Sequence, residues 1–403
     1  MRFLLLALFV IAASATIVDP VIVVPGLSGS SLETRYHKTS VPHFLCKTHI
    51  ASWTRIWIRL TELAPEIIDC FMQTMTPHFD SVSESYKNCE GVEVRPRDFG
   101  GVSGIYELDP DIGSKAKIYG YLIDALEGMG LKRGETLFGA PYDWRVSDPI
   151  TNHQNGQYAA LQTLTETAFN KTGRRVHLIG HSLGSPLIHM FLATYTTQEW
   201  RDRYVASFIS LAGPLGGSSD AAEFAYCGMD WRLPGLSKAR LRDFTKNLGS
   251  IGWMMPFGPT ATYTVVSTPQ RNYTATELAQ LYLDAGETDT AAIVKHMQGY
   301  LNKWATTPPG VETHIVYSLN QSTPITFWEP QGAACAKDGS VVLEARPGDG
   351  TDCGPLKGEA RGATRCIALT IVGKMYSAPQ IVFCRRSATL PALRPLAQGI
   401  CLA

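Results

Sequence analysis

The sequence predicts an α/β fold in which a mostly parallel sheet is covered by helices on both faces. The first observation is that apolar runs of strand length alternate with stretches of helical spacing, which is typical of this class. The strand-like runs span residues 17–24, 177–180, 205–211 and 313–317, and the helical stretches span residues 117–129, 185–195, 274–285 and 290–304. The second observation is composition: 45% of the 403 residues are hydrophobic and 18% are charged, which suits a globular protein with a sizeable core. This length accommodates one large domain with insertions, or two domains.

A Gly-x-Ser-x-Gly pattern at residues 180–184 stands between a strand-like run and a helical stretch. The pattern alone is weak because glycine and serine are common, but a strand, a glycine-bracketed serine and a helix together describe the nucleophile elbow of an α/β-hydrolase. The glycines allow the strained turn that exposes the hydroxyl, and the helix N-terminus favours negative charge beside it. Ser182 is therefore the candidate nucleophile. The alternative is an ordinary strand-to-helix turn built from small residues.

Charge and cysteine content argue against several classes of function. The formal net charge is +0, so nothing indicates a nucleic-acid partner or an acidic substrate. No two of the nine cysteines have C-x-x-C spacing and the histidines do not cluster with them, so we expect no metal site. No cofactor is expected either. An odd number of cysteines leaves at least one unpaired unless it bonds another chain.

The N-terminus has the pattern of a secretory signal peptide. Residues 1–15 have a basic start, an apolar centre and an Ala-Ser-Ala ending, and the apolar run is too short to span a bilayer. The alternative is a buried first helix. The mature chain would begin near Thr16 and enter an oxidising compartment. The Asn-x-Ser/Thr patterns at Asn170, Asn272 and Asn320 agree with that route as glycosylation acceptors, although each pattern can arise by chance.

Two stretches, residues 46–109 and 216–268, exceed a minimal hydrolase core, and we expect both to insert around the top of the sheet, where loops carry the site. The first opens with CKTHIASWTRIWIRLTELAPEIIDC, whose two cysteines have a spacing that a disulfide can usefully close. Its Trp53 and Trp57 lie among aliphatic residues, a composition that suits a segment resting in a lipid interface. A helix packed on the core would use the same residues, so both interpretations stay open.

Seven stretches match one family when they are taken together. In chain order they are PVIVVPGLSGSSLE, FLCKTH…IW…IIDC, GAPYDWR, IGHSLG, SLAGPLGG, NYT and PPGVETHIVYS. These stretches resemble the lecithin–cholesterol acyltransferase and lysosomal phospholipase A family of α/β-hydrolases, and they are spread over nearly the whole chain after the signal peptide. The cysteine-bounded segment and APYDWR are far more specific than the Gly-x-Ser-x-Gly pattern.

The resemblance implies a secreted or lysosomal enzyme with a membrane-binding insertion and a lid, acting at a phospholipid membrane or a lipoprotein surface. It would move an acyl chain from a glycerophospholipid onto a serine, and then to water or to a lipid alcohol. Ser182 matches the family nucleophile, and Cys46 and Cys70 match the disulfide of the membrane-binding insertion. The backbone N–H groups of Leu27 and Leu183 would stabilise the oxyanion.

The residue patterns and the resemblance together order the segments along the chain. They predict a signal peptide (1–15), the start of the α/β-hydrolase core (16–45), the membrane-binding insertion (46–109), the core with the nucleophile elbow (110–215), the lid or cap insertion (216–268) and the remainder of the core with an atypical C-terminal tail (269–403). The tail is atypical because its composition after residue 346 is unusually rich in glycine and arginine.

Two aspartates compete for the acid of the triad, which follows the serine and precedes the histidine in α/β-hydrolases. Asp349 lies in a Gly-Asp-Gly-Thr stretch that has the form of the family tetrapeptide, but it stands only four residues before the Cys353-Gly354 pair, which is too close for the family spacing. Asp338 is followed by valine and further apolar residues and leaves room before that pair. We prefer Asp338 and keep Asp349 as its rival. The other aspartate would then be a turn residue, since Asp-Gly is a strong turn dipeptide.

The base of the triad is missing at its expected position. The family histidine matches the stretch at residues 378–383, where this chain has Ala378, and the last histidine of the chain, His314, precedes both acids. His181 and His189 are better explained as structural residues of the elbow and of the following helix. Three explanations stay open: a catalytically inactive relative, an incorrect reading of the gene near its end, or another histidine that reaches the serine. An inactive relative could still bind lipid.

Overall fold

The computed structural model describes residues 18–112, 117–229, 237–258, 262–304, 307–318, 321–328, 341–348 and 364–369. The strands in these residues are β1 (Val21–Val24), β2 (Leu32–His37), β3 (His49–Trp57), β4 (His78–Asp80), β5 (Ser85–Lys87), β6 (Val92–Pro96), β7 (Leu137–Gly139), β8 (Val176–His181), β9 (Val205–Leu211), β10 (Thr264–Ser267), β11 (Asn272–Thr274), β12 (Thr313–Ser318), β13 (Gln321–Trp328), β14 (Val341–Gly348) and β15 (Thr364–Leu369). The predicted signal peptide, residues 1–15, lies outside the described residues.

The helices cover most of the remaining described residues. They are α1 (Ile68–Met75), α2 (Ser103–Tyr106), α3 (Gly120–Gly128), α4 (Pro149–Gln154), α5 (Gln157–Thr172), α6 (Gly184–Met190), α7 (Gln198–Tyr204), α8 (Ser219–Cys227), α9 (Lys238–Thr245), α10 (Gly249–Met254), α11 (Leu278–Asp284) and α12 (Thr288–Trp304). Shorter helical turns span Leu60–Leu63, Phe191–Tyr195 and Ala275–Glu277. Within these ranges no helix is both long enough and apolar enough to cross a membrane.

Six of the strands form a parallel sheet in the order β15-β12-β9-β8-β1-β7. This sheet confirms the predicted α/β class. The strand-like run predicted at 205–211 is β9, and those at 177–180 and 313–317 lie within β8 and β12. These strands could be predicted because a parallel strand that is buried on both faces is a nearly continuous apolar run.

Both faces of the parallel sheet are buried. Along β1, Ile22 and Val24 belong to one hydrophobic cluster, which also contains residues of α5 and α6. Val21 and Val23 belong to a second cluster, which contains residues of α2 and α3. Because successive side chains of a strand point to opposite faces, helices cover both sides of the sheet, as the sequence predicts.

The first predicted insertion, residues 46–109, is largely antiparallel β-structure. Strand β2 pairs with both β3 and β6, and β4 and β5 form a hairpin. The helical alternative for the cysteine-bounded segment is wrong for residues 49–57, which form β3, and the helix begins only at Ile68. Tryptophan, isoleucine and threonine in this segment favour a strand that is paired along one edge. The centre strand, β2, precedes Cys46, so the insertion is built onto the beginning of the core.

A buried arginine, Arg145, connects the core to both inserted stretches. Its guanidinium is fully buried and contacts both carboxylate oxygens of Asp143, at 2.9 and 2.6 Å. It also donates to the Met75 carbonyl at 3.0 Å, at the end of α1, and to Asn88 Oδ1 at 2.9 Å, beyond the β4–β5 hairpin. Its own carbonyl accepts the Gly249 N–H at 2.9 Å, at the start of α10 in the second insertion.

Four aromatic side chains from the same parts of the chain pack together. Trp57 of β3 and Phe71 of α1 come from the first insertion, and Phe244 of α9 comes from the second. The Trp57 and Trp144 ring centroids are 5.0 Å apart, and Phe244 lies 6.2 Å from Trp144 and 6.4 Å from Phe71. Edge-to-face contacts of this kind stabilise the fold by more than the burial of the apolar ring surface alone. We call these four rings the aromatic cluster.

We predict that Arg145→Met lowers the free energy of unfolding by about 3–5 kcal/mol, because it leaves the Asp143 carboxylate unpaired in a low-dielectric site. Urea unfolding measures the change. The control is Arg240→Met, which removes an exposed ion pair with Asp69 and should change stability by no more than about 1 kcal/mol. An equal effect of the two substitutions would contradict the role assigned to Arg145.

Candidate active site

Ser182 lies between β8 and α6, in the strand–serine–helix order that the sequence predicts. Its φ is 48°, in the left-handed region that is strained for a residue with a side chain. The Ser182 N–H donates to the Leu211 carbonyl at 2.9 Å, and the Ser182 carbonyl accepts the Ser185 N–H at 2.9 Å. Hydrogen bonds on both sides therefore hold the serine backbone in this conformation.

Three glycines allow the backbone to pack closely around Ser182. A Cβ atom on Gly184 would lie 2.4 Å from the Val24 carbonyl oxygen, and one on Gly180 would lie 2.6 Å from the Gly184 carbonyl oxygen. A Cβ atom on Gly26, in the loop after β1, would lie 2.9 Å from Ser182 Cβ. Neither glycine of the Gly-x-Ser-x-Gly pattern can carry a side chain without displacing the neighbouring backbone. The loop after β1 packs directly against Ser182.

This loop, residues 25–31, is named the β1 loop, and two side chains of the 139–145 segment hold it. The Tyr142 hydroxyl donates to the Pro25 carbonyl at 3.0 Å, and the Tyr142 N–H donates to the Ser30 hydroxyl at 3.0 Å. Trp144 Nε1 donates to the Ser30 carbonyl at 3.3 Å. The sequence singles out Ala-Pro-Tyr-Asp-Trp-Arg only as a family marker, and the structure gives this motif a physical role as the support of the β1 loop.

The backbone N–H groups of Leu27 and Leu183 are the predicted oxyanion donors. Leu27 follows Gly26 in the β1 loop, and Leu183 follows Ser182 at the start of α6. In the described part of the chain, neither N–H donates a hydrogen bond to another protein group. The fully buried Leu183 side chain anchors its end of the turn in the core. The role of the two N–H groups as oxyanion donors stays a prediction.

Trp57 supports the β1 loop and does not face solvent. Its ring is only 3% exposed, and its Nε1 donates to the Ser28 carbonyl at 2.8 Å. Of the two interpretations that the sequence leaves open for Trp57, the structure favours packing on the core, because the aromatic cluster covers its ring. Trp53 is half-buried, with the guanidinium groups of Arg35 and Arg95 stacked on its ring at 4.8 and 4.1 Å.

His181, the residue before Ser182, is held by a tyrosine that the sequence does not single out. His181 Nδ1 lies 2.8 Å from the Tyr119 hydroxyl, which also accepts the Gly26 N–H at 2.6 Å. Desolvation of the ring lowers the pKa of His181 to about 4. The imidazole is neutral at neutral pH, and it would be a weak proton acceptor for Ser182.

All ten histidines of the chain lie within the described residues, and none forms a hydrogen bond with the Ser182 hydroxyl there. His189 Nε2 donates to the Thr307 carbonyl at 2.7 Å, and burial lowers the pKa of this imidazole. His314 is buried in β12, where Glu312 lies 3.5 Å from its Nε2. The remaining predicted triad positions, Asp338, Asp349 and Ala378, lie outside the described residues.

Two of the three predicted glycosylation acceptors lie on the surface. The Asn170 side chain is exposed near the end of α5, and Asn272 is exposed at the start of β11. Asn320 lies outside the described residues. Exposure makes the first two accessible to the modification, which stays a prediction.

Cys46 and Cys70 are joined in a disulfide, as the resemblance implies. The bond links the loop before β3 to α1 and so closes the first part of the insertion. His43 is near both sulfurs, with its Nε2 3.8 Å from Cys70 Sγ. Because the disulfide uses both thiols, His43 is the one conventional metal ligand of this group. Cys89 is a free cysteine, in keeping with the odd number of cysteines.

Comparison with known proteins gives a consistent result. The model of the lecithin:cholesterol acyltransferase family matches residues 53–310. The chain is similar to the lysosomal phospholipase A and acyltransferase of Rattus norvegicus, with 32% identity over 85% of this chain and 84% of the relative. The Homo sapiens protein of the same name is 32% identical, over 85% of each chain. The phosphatidylcholine-sterol acyltransferase of Gallus gallus is 29% identical over 76% of this chain and 73% of the relative.

We predict that Gly184→Ala destabilises the protein by about 1–3 kcal/mol, because its methyl group would force α6 away from the Val24 and Pro25 carbonyls. Thermal unfolding followed by circular dichroism measures the effect. Gly128→Ala, at the last residue of α3, is the matched control because nothing lies within 4 Å of its added methyl group. The prediction fails if Gly184→Ala is as stable as Gly128→Ala.

Proposed function

The chain belongs to the lecithin:cholesterol acyltransferase family, and we propose that it is a phospholipid acyl hydrolase or O-acyltransferase that acts through an acyl-enzyme on Ser182. The observation that carries the proposal is the strained backbone of Ser182, which stands between β8 and α6 and against the β1 loop. The names of the similar proteins, a phospholipase A and acyltransferase and a sterol acyltransferase, support the same reaction class.

In the proposed reaction, Ser182 Oγ attacks the ester carbonyl carbon of a glycerophospholipid and loses its proton to a base. The carbonyl oxygen becomes an oxyanion, which accepts hydrogen bonds from the Leu27 and Leu183 N–H groups. Collapse of this intermediate breaks the ester bond and releases the lysophospholipid with a proton. Water or a lipid alcohol then attacks the acyl-serine in the same way, which releases a fatty acid or a new ester and restores Ser182.

Proton transfer is the step for which this sequence is incomplete. We propose Asp338 as the acid, with Asp349 as its rival, and Ala378 occupies the position of the base. In subtilisin, removal of the triad histidine lowers turnover about a million-fold. The remaining rate is about a thousandfold above that of the reaction in water. His181 is a poor substitute, because Tyr119 contacts its Nδ1 and its pKa is lowered to about 4.

A second candidate function is a non-catalytic lipid-binding protein on the same fold. It is favoured by one observation: among the described residues, which include every histidine, none contacts the Ser182 hydroxyl through a hydrogen bond. Such a protein would keep the acyl site and its oxyanion donors while lacking turnover. Both candidate functions therefore involve binding of a lipid, and they differ in whether Ser182 Oγ reacts with it.

We propose that residues 46–109 contact the lipid surface and that residues 216–268 form the cap over the site. Phe44 and Leu45, next to the disulfide, are 92% and 51% exposed. Exposed apolar side chains on a loop held by a covalent bond suit insertion among lipid headgroups. We place the protein in the secretory pathway, with the lysosome or the extracellular fluid as its destination, in agreement with the disulfide and the lysosomal relatives.

The reaction is tested with the full-length glycosylated protein, a fluorophosphonate and phosphatidylcholine vesicles. We expect slow labelling that Ser182→Ala abolishes, and we expect Ala378→His to raise both labelling and fatty acid release by at least about a thousandfold, because it restores the base. In that background Asp338→Asn should lower the rate by about ten-thousandfold, and Asp349→Asn is its matched control.

Each outcome distinguishes the candidates. Labelling that is independent of Ser182 would rule out the proposed nucleophile. Vesicle binding without labelling, in the wild type and in Ala378→His alike, would instead support the lipid-binding protein.

The membrane contact is tested by Phe44→Ser and Leu45→Ser in a vesicle sedimentation assay. Each substitution should weaken binding about ten- to a hundredfold, because burial of such a side chain contributes about 1.5–3 kcal/mol. Leu283→Ser is the matched control, since Leu283 of α11 is 50% exposed and is remote in sequence from the loop beside the Cys46–Cys70 disulfide. If Leu283→Ser weakens binding equally, the loop before Cys46 is not the specific contact.

A further inference from the structure

We propose that Tyr119 is a positioning residue of the acyl-transfer site, because one hydroxyl joins the β1 loop to the residue that precedes the nucleophile. The inference rests on the proposed function and deepens it. It identifies Tyr119 as the side chain that sets the distance between the two proposed oxyanion donors. Tyr119 is remote in sequence from both loops, at 93 residues from Gly26 and 62 residues from His181.

The contacts of Tyr119 are short, and its ring is buried. The hydroxyl oxygen accepts the Gly26 N–H at 2.6 Å and lies 2.8 Å from His181 Nδ1. Gly26 directly precedes Leu27, and His181 directly precedes Ser182. A single oxygen atom therefore bonds to the backbone of the residue before Leu27, a proposed oxyanion donor, and to the side chain of the residue before Ser182, the proposed nucleophile.

The direction of these hydrogen bonds follows from the groups involved. The Gly26 N–H can only donate, so the tyrosine oxygen accepts it. Among the described residues, His181 Nδ1 is the other atom that bonds to this buried hydroxyl, and we therefore assign the tyrosine proton to that nitrogen. The imidazole is then neutral, with its proton on Nε2. Burial raises the pKa of Tyr119 and desolvation lowers that of His181, so the two groups keep these roles at neutral and mildly acidic pH.

Tyr119 holds the β1 loop from the face of the sheet opposite to Tyr142 and Trp144. Tyr119 packs in the cluster with α2 and α3, whereas the other two side chains pack in the cluster with α5 and α6. Its ring also fills the space beside Gly29, where an added Cβ would lie 2.9 Å from Tyr119 Cε2. Side chains on both faces of the sheet thus hold the β1 loop. Of these three side chains, Tyr119 is the one that also bonds to His181, the residue before the nucleophile.

Loss of the Tyr119 hydrogen bonds should affect the transition state more than substrate binding. Oxyanion donors strengthen their hydrogen bonds as negative charge develops on the oxygen, so their misplacement lowers kcat and leaves KM nearly unchanged. A displacement of about 1 Å can cost about a hundredfold in rate. The effect of removing only the hydroxyl, with the ring retained, should therefore be about ten- to a hundredfold.

The test compares Tyr119→Phe with Tyr121→Phe in the full-length glycosylated protein, and both again in the Ala378→His background. Tyr121 lies on α3, two residues away, and is 48% exposed. We expect Tyr119→Phe to lower kcat and the rate of fluorophosphonate labelling about ten- to a hundredfold, with KM within about twofold, and Tyr121→Phe to change neither. A lower melting temperature with unchanged kcat would make Tyr119 merely structural and overturn the inference.

A spectroscopic measurement separates this inference from the proposed function. Nitrogen-15 spectra of labelled histidine should show a neutral His181 with an accepting Nδ1 at mildly acidic pH, and Tyr119→Phe should shift that Nδ1 signal. If the wild type and Ala378→His both lack Ser182-dependent activity, the proposed reaction fails while this spectrum still tests the hydrogen bond. A proton on His181 Nδ1 would overturn the inference whatever the activity.

Discussion

The close approach of the β1 loop to Ser182 is the constraint on which the rest of the site depends. Parallel pairing places Val24 of β1 beside Gly180 of β8, so the turns that follow the two strands meet at the same edge of the sheet. Only glycine fits at the contacts, and glycine leaves the unsupported chain mobile. The β1 loop is therefore ordered by side chains from elsewhere: Tyr119, Tyr142, Trp144 and Trp57. These hydrogen bonds, which link residues remote in sequence, set the position of the β1 loop relative to Ser182.

The same support connects the site to the inserted stretches. Trp57 and Trp144 hold the β1 loop and are also members of the aromatic cluster, which includes residues of both insertions. Arg145, next to Trp144, bonds to the end of α1 and to the start of α10. A shift of either insertion would therefore be transmitted to the β1 loop through packed rings and one buried ion pair. The segment near Cys46 that we propose to contact lipid is therefore connected through packed side chains to the residues beside Ser182.

The sequence predicts those parts of the structure that local pattern determines. Strands β8 and β9 are rich in apolar residues, and the two glycines of the elbow are four residues apart, so both elements could be predicted. The role of Trp57 could not, because apolar composition does not tell whether a ring faces lipid or the core. Tyr119 has no local signature, since its partners lie 62 and 93 residues away. Short strands such as β7 are too brief for periodicity to detect.

The site can be divided into an electrostatic half and a proton-transfer half. The proposed electrostatic half consists of the strained Ser182 and the Leu27 and Leu183 N–H groups, and all three residues lie in the described part of the chain. The proposed proton-transfer half would draw on the C-terminal region, where the family resemblance predicts a histidine and this sequence has Ala378. Backbone strain of this kind costs about 1–3 kcal/mol and persists only where surrounding structure enforces it. Backbone hydrogen bonds to Leu211 and Ser185 hold the Ser182 conformation and neither of them involves a histidine, so the two functions that we propose could share one fold and differ only in the presence of a base.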